Sequence, residues 1–315
     1  MDQSKIITDS LLRKGTAILD LDGSLSVMSE YFKPYGIKNT ERNREMFCSL
    51  FLNSPICPVI SAVILDAISL FHVSPEKEAI TFLNRLETRG IIPIGNFVVN
   101  KATGEPLADG SSVISLKTRN ISCIKLTIVV HSKMTRDELI VAFHVMVPVI
   151  LEAQRNCMAV VCEFTLDEKD DLAAMDDVEE MLQLAFKTFK CVQDFKLIDL
   201  STVIMSIPPV TCGSSITRRP DKKTVASKTL NVIRNYIPKQ AAAVFITTAG
   251  LLSEESLTVV DEIVKMNDTG KFVSGIFGKS ILNVPLSLWK GNDTYIDDAR
   301  ELFSEALIRI QDFFD

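Results

Sequence analysis

The sequence predicts an α/β or α+β protein, with a mainly helical N-terminal part over residues 1–90 and a mixed α/β region with a central sheet over 91–315. Three observations carry this prediction. Residues 125–130 and 158–164 are β-branched runs on either side of a helix-like stretch, which is the order of a strand–helix–strand unit. Several stretches, in both parts of the chain, place apolar residues three and four apart, the spacing of a helix with one buried face. The composition, 47% hydrophobic and 23% charged over 315 residues, suits a large packed core and excludes a disordered or low-complexity chain.

Taken in order, the first fifteen residues hold no apolar core long enough for a secretory leader. Residues 56–73 are almost wholly apolar and reach the lower edge of a membrane-spanning length. Asp66 at their centre would cost about 2.5–3.5 kcal/mol on insertion, so the stretch reads as a buried core helix and no stable membrane insertion is expected. Ser74 before Pro75, with Gly90 beyond the last turn, brackets a helix whose face is Ile80, Leu83 and Leu86. Residues 96–100 and 112–117 read as strands flanking the turn-rich 101–110.

Thr135 and Glu138 form a capping box ahead of Leu139, Phe143 and Met146, and Pro148 is set to kink or end that helix. Thr165 and Glu168 form a second box, followed by the stripe Met175, Val178, Leu182, Ala185 and Phe189. Residues 241–247 are a further strand, and Ile296, Ala299, Phe303, Leu307 and Ile310 mark a C-terminal helix. Residues 211–239 open on a Ser-, Thr-, Gly- and Pro-rich segment without apolar periodicity until Leu230. They read as an exposed loop, most basic near 213–229.

The seven cysteines are odd in number, form no C-x-x-C pair and sit mostly among apolar neighbours. They read as small buried thiols in a reducing, intracellular compartment, the cytoplasm above all, and not as disulfides or metal ligands.

Two segments could carry function. Residues 17–25 are an apolar run ending in Asp20, Leu21, Asp22, Gly23, Ser24 and Leu25. This D-x-D-G-[ST]-L pattern resembles the first motif of the haloacid-dehalogenase-like phosphohydrolases. The resemblance implies Asp20 as nucleophile, Asp22 as general acid and base, and a bridging Mg²⁺ that offsets their repulsion. Thr247, Lys279 and the pair Asp297 and Asp298 follow in the order of that family's remaining motifs. The residues read directly favour something simpler. Asp22-Gly23 is a preferred two-residue hairpin turn, and Leu19, Leu21, Leu25 and Val27 flank it at period two.

The second segment is basic. Residues 218–239 hold Arg218, Arg219, Lys222, Lys223, Lys228, Arg234 and Lys239 against one acid, Asp221, in a chain whose net charge is -6. Arginine forks and lysines gathered on an acidic body suit phosphates. The opposite run, 163–180, is strongly acidic. It reads as the solvated face of a helix that could also meet the basic loop of a neighbouring copy.

Two near-misses carry less. Residues 275–280 end like a phosphate-binding loop, but Val273 stands where its first glycine belongs, and an apolar run containing Pro285 follows instead of a clear helix. His144 reads as a satisfied core residue. The leading expectation is therefore a non-enzymatic, self-associating assembly protein, of the kind found in viruses. It would take no cofactor and would bind RNA through Arg218, Arg219, Lys222, Lys223, Lys228 and Arg234. The alternative is the Mg²⁺-dependent phosphohydrolase built on Asp20 and Asp22.

Overall fold

The computed structural model describes residues 3–22, 25–56, 58–66, 69–75, 80–97, 112–167, 173–213, 215–248, 251 and 253–312, without the side chains of 25–26, 193–196 and 253–254. Eight strands form one closed parallel barrel: β1 (Ala17–Asp20), β2 (Ile60–Asp66), β3 (Ile92–Phe97), β4 (Cys123–Val130), β5 (Ala159–Leu166), β6 (Val203–Ile207), β7 (Ala243–Thr247) and β8 (Val273–Phe277). Each pairs with the next, and β1 closes the ring against β8 through Ile18 with Ile276 and Leu19 with Phe277. Eleven described helices surround it: α1 (Gln3–Leu11), α2 (Leu25–Phe32), α3 (Glu41–Leu52), α4 (Phe82–Thr88), α5 (Val113–Thr118), α6 (Arg136–Arg155), α7 (Met175–Lys196), α8 (Lys222–Asn235), α9 (Ser253–Lys265), α10 (Lys279–Trp289) and α11 (Ile296–Asp312).

The expected helical N-terminal part with a separate central sheet is therefore corrected. Strands from both sides of Gly90 share one ring, because β1 lies between β2 and β8. Residues 56–73 supply β2, a strand buried along its whole length, instead of a core helix. The near-continuous apolar run was the mark of a barrel strand, whose two faces are both covered. No helix among the described residues is long and apolar enough to cross a membrane.

Strand alternation builds two cores. One set of side chains fills the barrel: Ile18, Ala62, Ile64, Ile94, Cys123, Ala159, Val161, Ile204, Ala243, Phe245 and Ile276, closed from α1 by Leu11. The other set packs outward on the helices. Phe164 on β5 meets Phe143 of α6 and Phe186 and Phe189 of α7, with ring centroids 6.2, 4.7 and 6.5 Å away. The stripes of α7 and α11 turn inward as their spacing predicts. Val178, Leu182, Ala185 and Phe189 are buried, and so are Ala299, Phe303, Leu307 and Ile310.

Several local expectations change in the folded chain. The Thr135 capping box is present: Thr135 Oγ1 accepts from Glu138 N at 3.3 Å and Glu138 Oε2 accepts from Thr135 N at 2.7 Å. The bonds that Thr135 N and Thr135 Oγ1 donate to Glu138 Oε2 hold the Glu138 carboxyl below its usual range. Thr135→Ala is expected to destabilise the protein by about 1 kcal/mol, read as a lower denaturant midpoint at unchanged slope. Pro148 lies inside α6 without ending it, and His144 is exposed on that helix instead of in the core.

Thr81, not Ser74, caps α4, while Ser74 Oγ bonds Ser49 Oγ at 2.8 Å. Residues 113–118 are helical and not a strand, with Ser112 and Ser115 in a reciprocal cap. Thr165 lies in β5 rather than at a helix cap, and Ala174 N donates to Asp177 at the start of α7. Glu168 and the turn segment 101–110 lie outside the described residues.

Candidate active site at the barrel mouth

Toward the carboxyl ends of the strands, the inward positions change from apolar to polar in a single step of two residues. Asp20 follows Ile18, Asp66 follows Ile64, Asn96 follows Ile94 and Lys125 follows Cys123. Glu163 follows Val161, Ser206 follows Ile204 and Thr247 follows Phe245. In a parallel barrel this end is where loops meet and where catalytic groups gather.

Lys125 is the centre of the layer. Its ammonium lies 2.8 Å from Asp20 Oδ2 across the barrel and 3.4 Å from Glu163 Oε2 on the neighbouring strand. Its side chain is only 6% exposed, so this is a buried charge between two carboxylates. Burial pulls an ammonium down, but Asp20, Glu163 and Asp22 outweigh it and hold Lys125 well above the usual lysine range. Thr127 Oγ1 donates to Glu163 Oε2 at 2.9 Å, and Asn96 Nδ2 donates to Asp22 Oδ2 at 2.9 Å. The Asp22 backbone N–H donates to Asp20 Oδ1 at 3.0 Å just past the end of β1.

Beside this cluster opens a cleft of about 570 Å³. Asp20, Asp22 and Glu163 line one wall; Thr247, Thr248, Gly278, Lys279 and Ser280 line the other. Gly278 precedes α10, so the helix N-terminus opens onto the cleft. β8 comes close to β1 there: a Cβ on residue 278 would touch the Asp20 carbonyl oxygen at 3.4 Å, an ordinary contact. Thr248 and Ser280 hydroxyls are 2.9 Å apart, and the Lys279 ammonium sits 5.6 Å above the Tyr31 ring. Burial raises the Tyr31 phenol well above its usual range.

The hairpin expectation fails here. β1 is parallel to both neighbours, and α2 begins at Leu25, where a returning strand should run. Gly23 and Ser24 lie outside the described residues. Residues 275–280 are β8 leading into a clear helix that accommodates Pro285. Glu163, placed in the acidic solvated run, is buried and points into the barrel.

The basic segment is helix from Lys222 onward rather than loop. Asp221 caps it through Lys223 N and Thr224 N. Most of its cations meet acids of the same chain. Arg219 pairs with Glu255, Lys222 with Glu262, Arg234 with Asp268, and Lys228 with Asp176 and Glu179 of the acidic run. Arg218 and Lys223 are exposed.

The sequence profile of the class-I fructose-bisphosphate aldolases matches residues 4–108 and 144–309. The chain belongs to the class-I fructose-bisphosphate aldolase family. This membership and the closed barrel overturn both the non-enzymatic RNA-binding assembly protein of viral type and the haloacid-dehalogenase-like phosphohydrolase.

A fructose-bisphosphate aldolase of Encephalitozoon cuniculi is 21% identical over 309 residues, covering 94% of this chain and 90% of that protein. A probable class 1 aldolase of Xanthomonas campestris pv. campestris is 20% identical over 313 residues, covering 93% and 91%. The fold is shared with the fructose-bisphosphate aldolase of Plasmodium falciparum, solved with TRAP and a small-molecule inhibitor. The TM-score is 0.83 at 18% identity, over 99% of this chain and 94% of that one. The stretch outside the family profile, 109–143, contains β4 and with it Lys125.

Asp20 and Asp22 were singled out in the sequence and do lie in the site. Thr247 and Lys279 lie there too, in a barrel rather than the fold that suggested them. Lys125, Asn96, Thr127 and Glu163 were missed. The signal available for them was the apolar, any, polar ending shared by β1 to β7, which marks one face only once the strands are known to close.

Proposed function

We propose that this chain is a carbon–carbon lyase that cleaves a phosphorylated hydroxy-ketone, with fructose bisphosphate the first substrate to test. The observation that carries the reading is Lys125, held as an ammonium between Asp20 and Glu163 at the mouth of a barrel of this family. Its cysteines, free among the described residues, suit a reducing, cytoplasmic setting.

Breaking the bond between the carbon next to the carbonyl and the hydroxyl-bearing carbon beyond it needs two things. A base must take the hydroxyl proton, and a positive group must stabilise the electron pair that moves onto the carbonyl oxygen. Glu163 or Asp20 is placed to accept the proton. Lys125 is placed to stabilise the enolate oxygen through a charged hydrogen bond in a water-poor site. The departing fragment leaves as an aldehyde, and the same carboxyl returns its proton to the enolate carbon, so protons and electrons balance. Gly278, Lys279 and Ser280, at the N-terminus of α10 after the last strand, offer N–H groups and a cation to a phosphate.

Held between two carboxylates, Lys125 is assigned here to stabilising charge rather than to nucleophilic attack. The wild-type chain is expected to release triose phosphate from fructose 1,6-bisphosphate in a coupled assay. Borohydride added during turnover is expected to leave its mass unchanged. No release above the blank would overturn the reading, and a reduced adduct on Lys125 would make that residue the nucleophile instead.

A further inference from the structure

We infer that Glu41, Glu45 and His72, none of which lines the barrel-mouth cleft, form a binding site for a divalent transition-metal ion of the zinc class. Glu41 and Glu45 stand one turn apart on α3 and so share a face. His72 arrives from the connection after β2, held by its N–H on the Ser69 carbonyl at 3.1 Å and its own carbonyl accepting from Phe82 N at 3.0 Å. One imidazole nitrogen and two carboxylate oxygens converge so that all lie within 4.8 Å of one another.

Two features favour an ion over an ordinary ion pair. The His72 Nδ1 to Glu45 Oε1 distance is 3.7 Å, longer than a hydrogen bond. It is closer to the separation of about 3.4 Å that two ligands subtend across a tetrahedral ion at about 2.0–2.1 Å. Among the described residues neither the Glu41 nor the Glu45 carboxylate pairs with a lysine or arginine. Arg42 and Arg44 belong to the same helix, yet Arg42 reaches Asp293 at 2.7 Å and Arg44 reaches Asn39 at 2.9 Å.

A nitrogen and two carboxylate oxygens suit zinc-class ions better than Mg²⁺ or Ca²⁺, which prefer all-oxygen shells. Glu41 is exposed, so a fourth position is open to water. A bound ion would tie α3 to the connection between β2 and α4.

The test is calorimetric titration of the chelator-treated full chain with ZnCl₂, with thermal unfolding in parallel. One equivalent is expected to bind and to raise the unfolding temperature, and millimolar Mg²⁺ is expected not to compete. His72→Ala and Glu45→Gln, both near the surface, are each expected to weaken binding at least about tenfold and to remove the thermal shift. Co²⁺ substituted for zinc should show visible absorption that is lost in the same variants. Absence of saturable binding up to about 100 µM zinc would overturn the site. So would binding unchanged in both variants, which would move the ion to thiols such as the exposed Cys191.

Discussion

Lys125→Met is expected to lower turnover of the sugar phosphate by at least about 10³-fold and to destabilise the fold by about 3–5 kcal/mol. Both effects have one source. Methionine keeps most of the lysine's volume but leaves Asp20 and Glu163 as uncompensated carboxylates in the barrel, and Glu163 has only 7% of its side chain exposed. The activity falls because nothing positive faces the enolate oxygen. Denaturant titration reads the second effect, and a variant as stable as the wild type would mean that the carboxylates are solvated after all.

The pH dependence of the Lys125 contribution has a definite sign. Its folded-state pKa is raised, so the stabilisation is present in full below the unfolded lysine value of about 10.4. It is lost only as pH climbs above that value through the folded one. Lys125 therefore contributes no slope to stability between pH 6 and 9, on the order of the range where most carboxylates and lysines hold one state.

Phe164→Ala is expected to cost about 3–5 kcal/mol with little change in the chemistry of the mouth. The ring is fully buried between β5 and helices α6 and α7, against three other phenylalanines. Its neighbour Glu163 points the opposite way, into the site. A lower denaturant midpoint with residual activity at low temperature separates the two faces of this strand. Equal loss of activity and stability would mean that the outer packing also sets the Glu163 carboxylate.

These two adjacent residues show how far local pattern reaches. The strand at 158–164 was legible because Val160, Val161 and Phe164 are β-branched or aromatic, and the helix before it because Thr135 and Glu138 announce its start. The stripes of α7 and α11 were legible because a helix repeats its buried face every three to four residues whatever lies opposite. Residues 56–73 misled for the converse reason. A strand covered on both faces and a buried helix are both apolar throughout, and periodicity cannot separate them. Asp22-Gly23 misled because a turn preference is a local energy of a few tenths to about 1 kcal/mol, which pairing of β1 with β2 and β8 overrides.

Read alone, then, the chain showed the helix start at Thr135, the stripes of α7 and α11 and the strands near 125–130, 158–164 and 241–247, and it offered the carboxylates after Leu19 as a site only in the alternative to a hairpin turn. Closure of the ring decided the rest. It brought Lys125 to Asp20 across 105 positions of sequence, made Glu163 an interior acid, and matched Lys228 with the acidic start of α7 inside one molecule. The physical reason is that a charge's role depends on what lies within a few ångströms of it and how much water is excluded. Neither quantity exists until strands distant in sequence are neighbours in space.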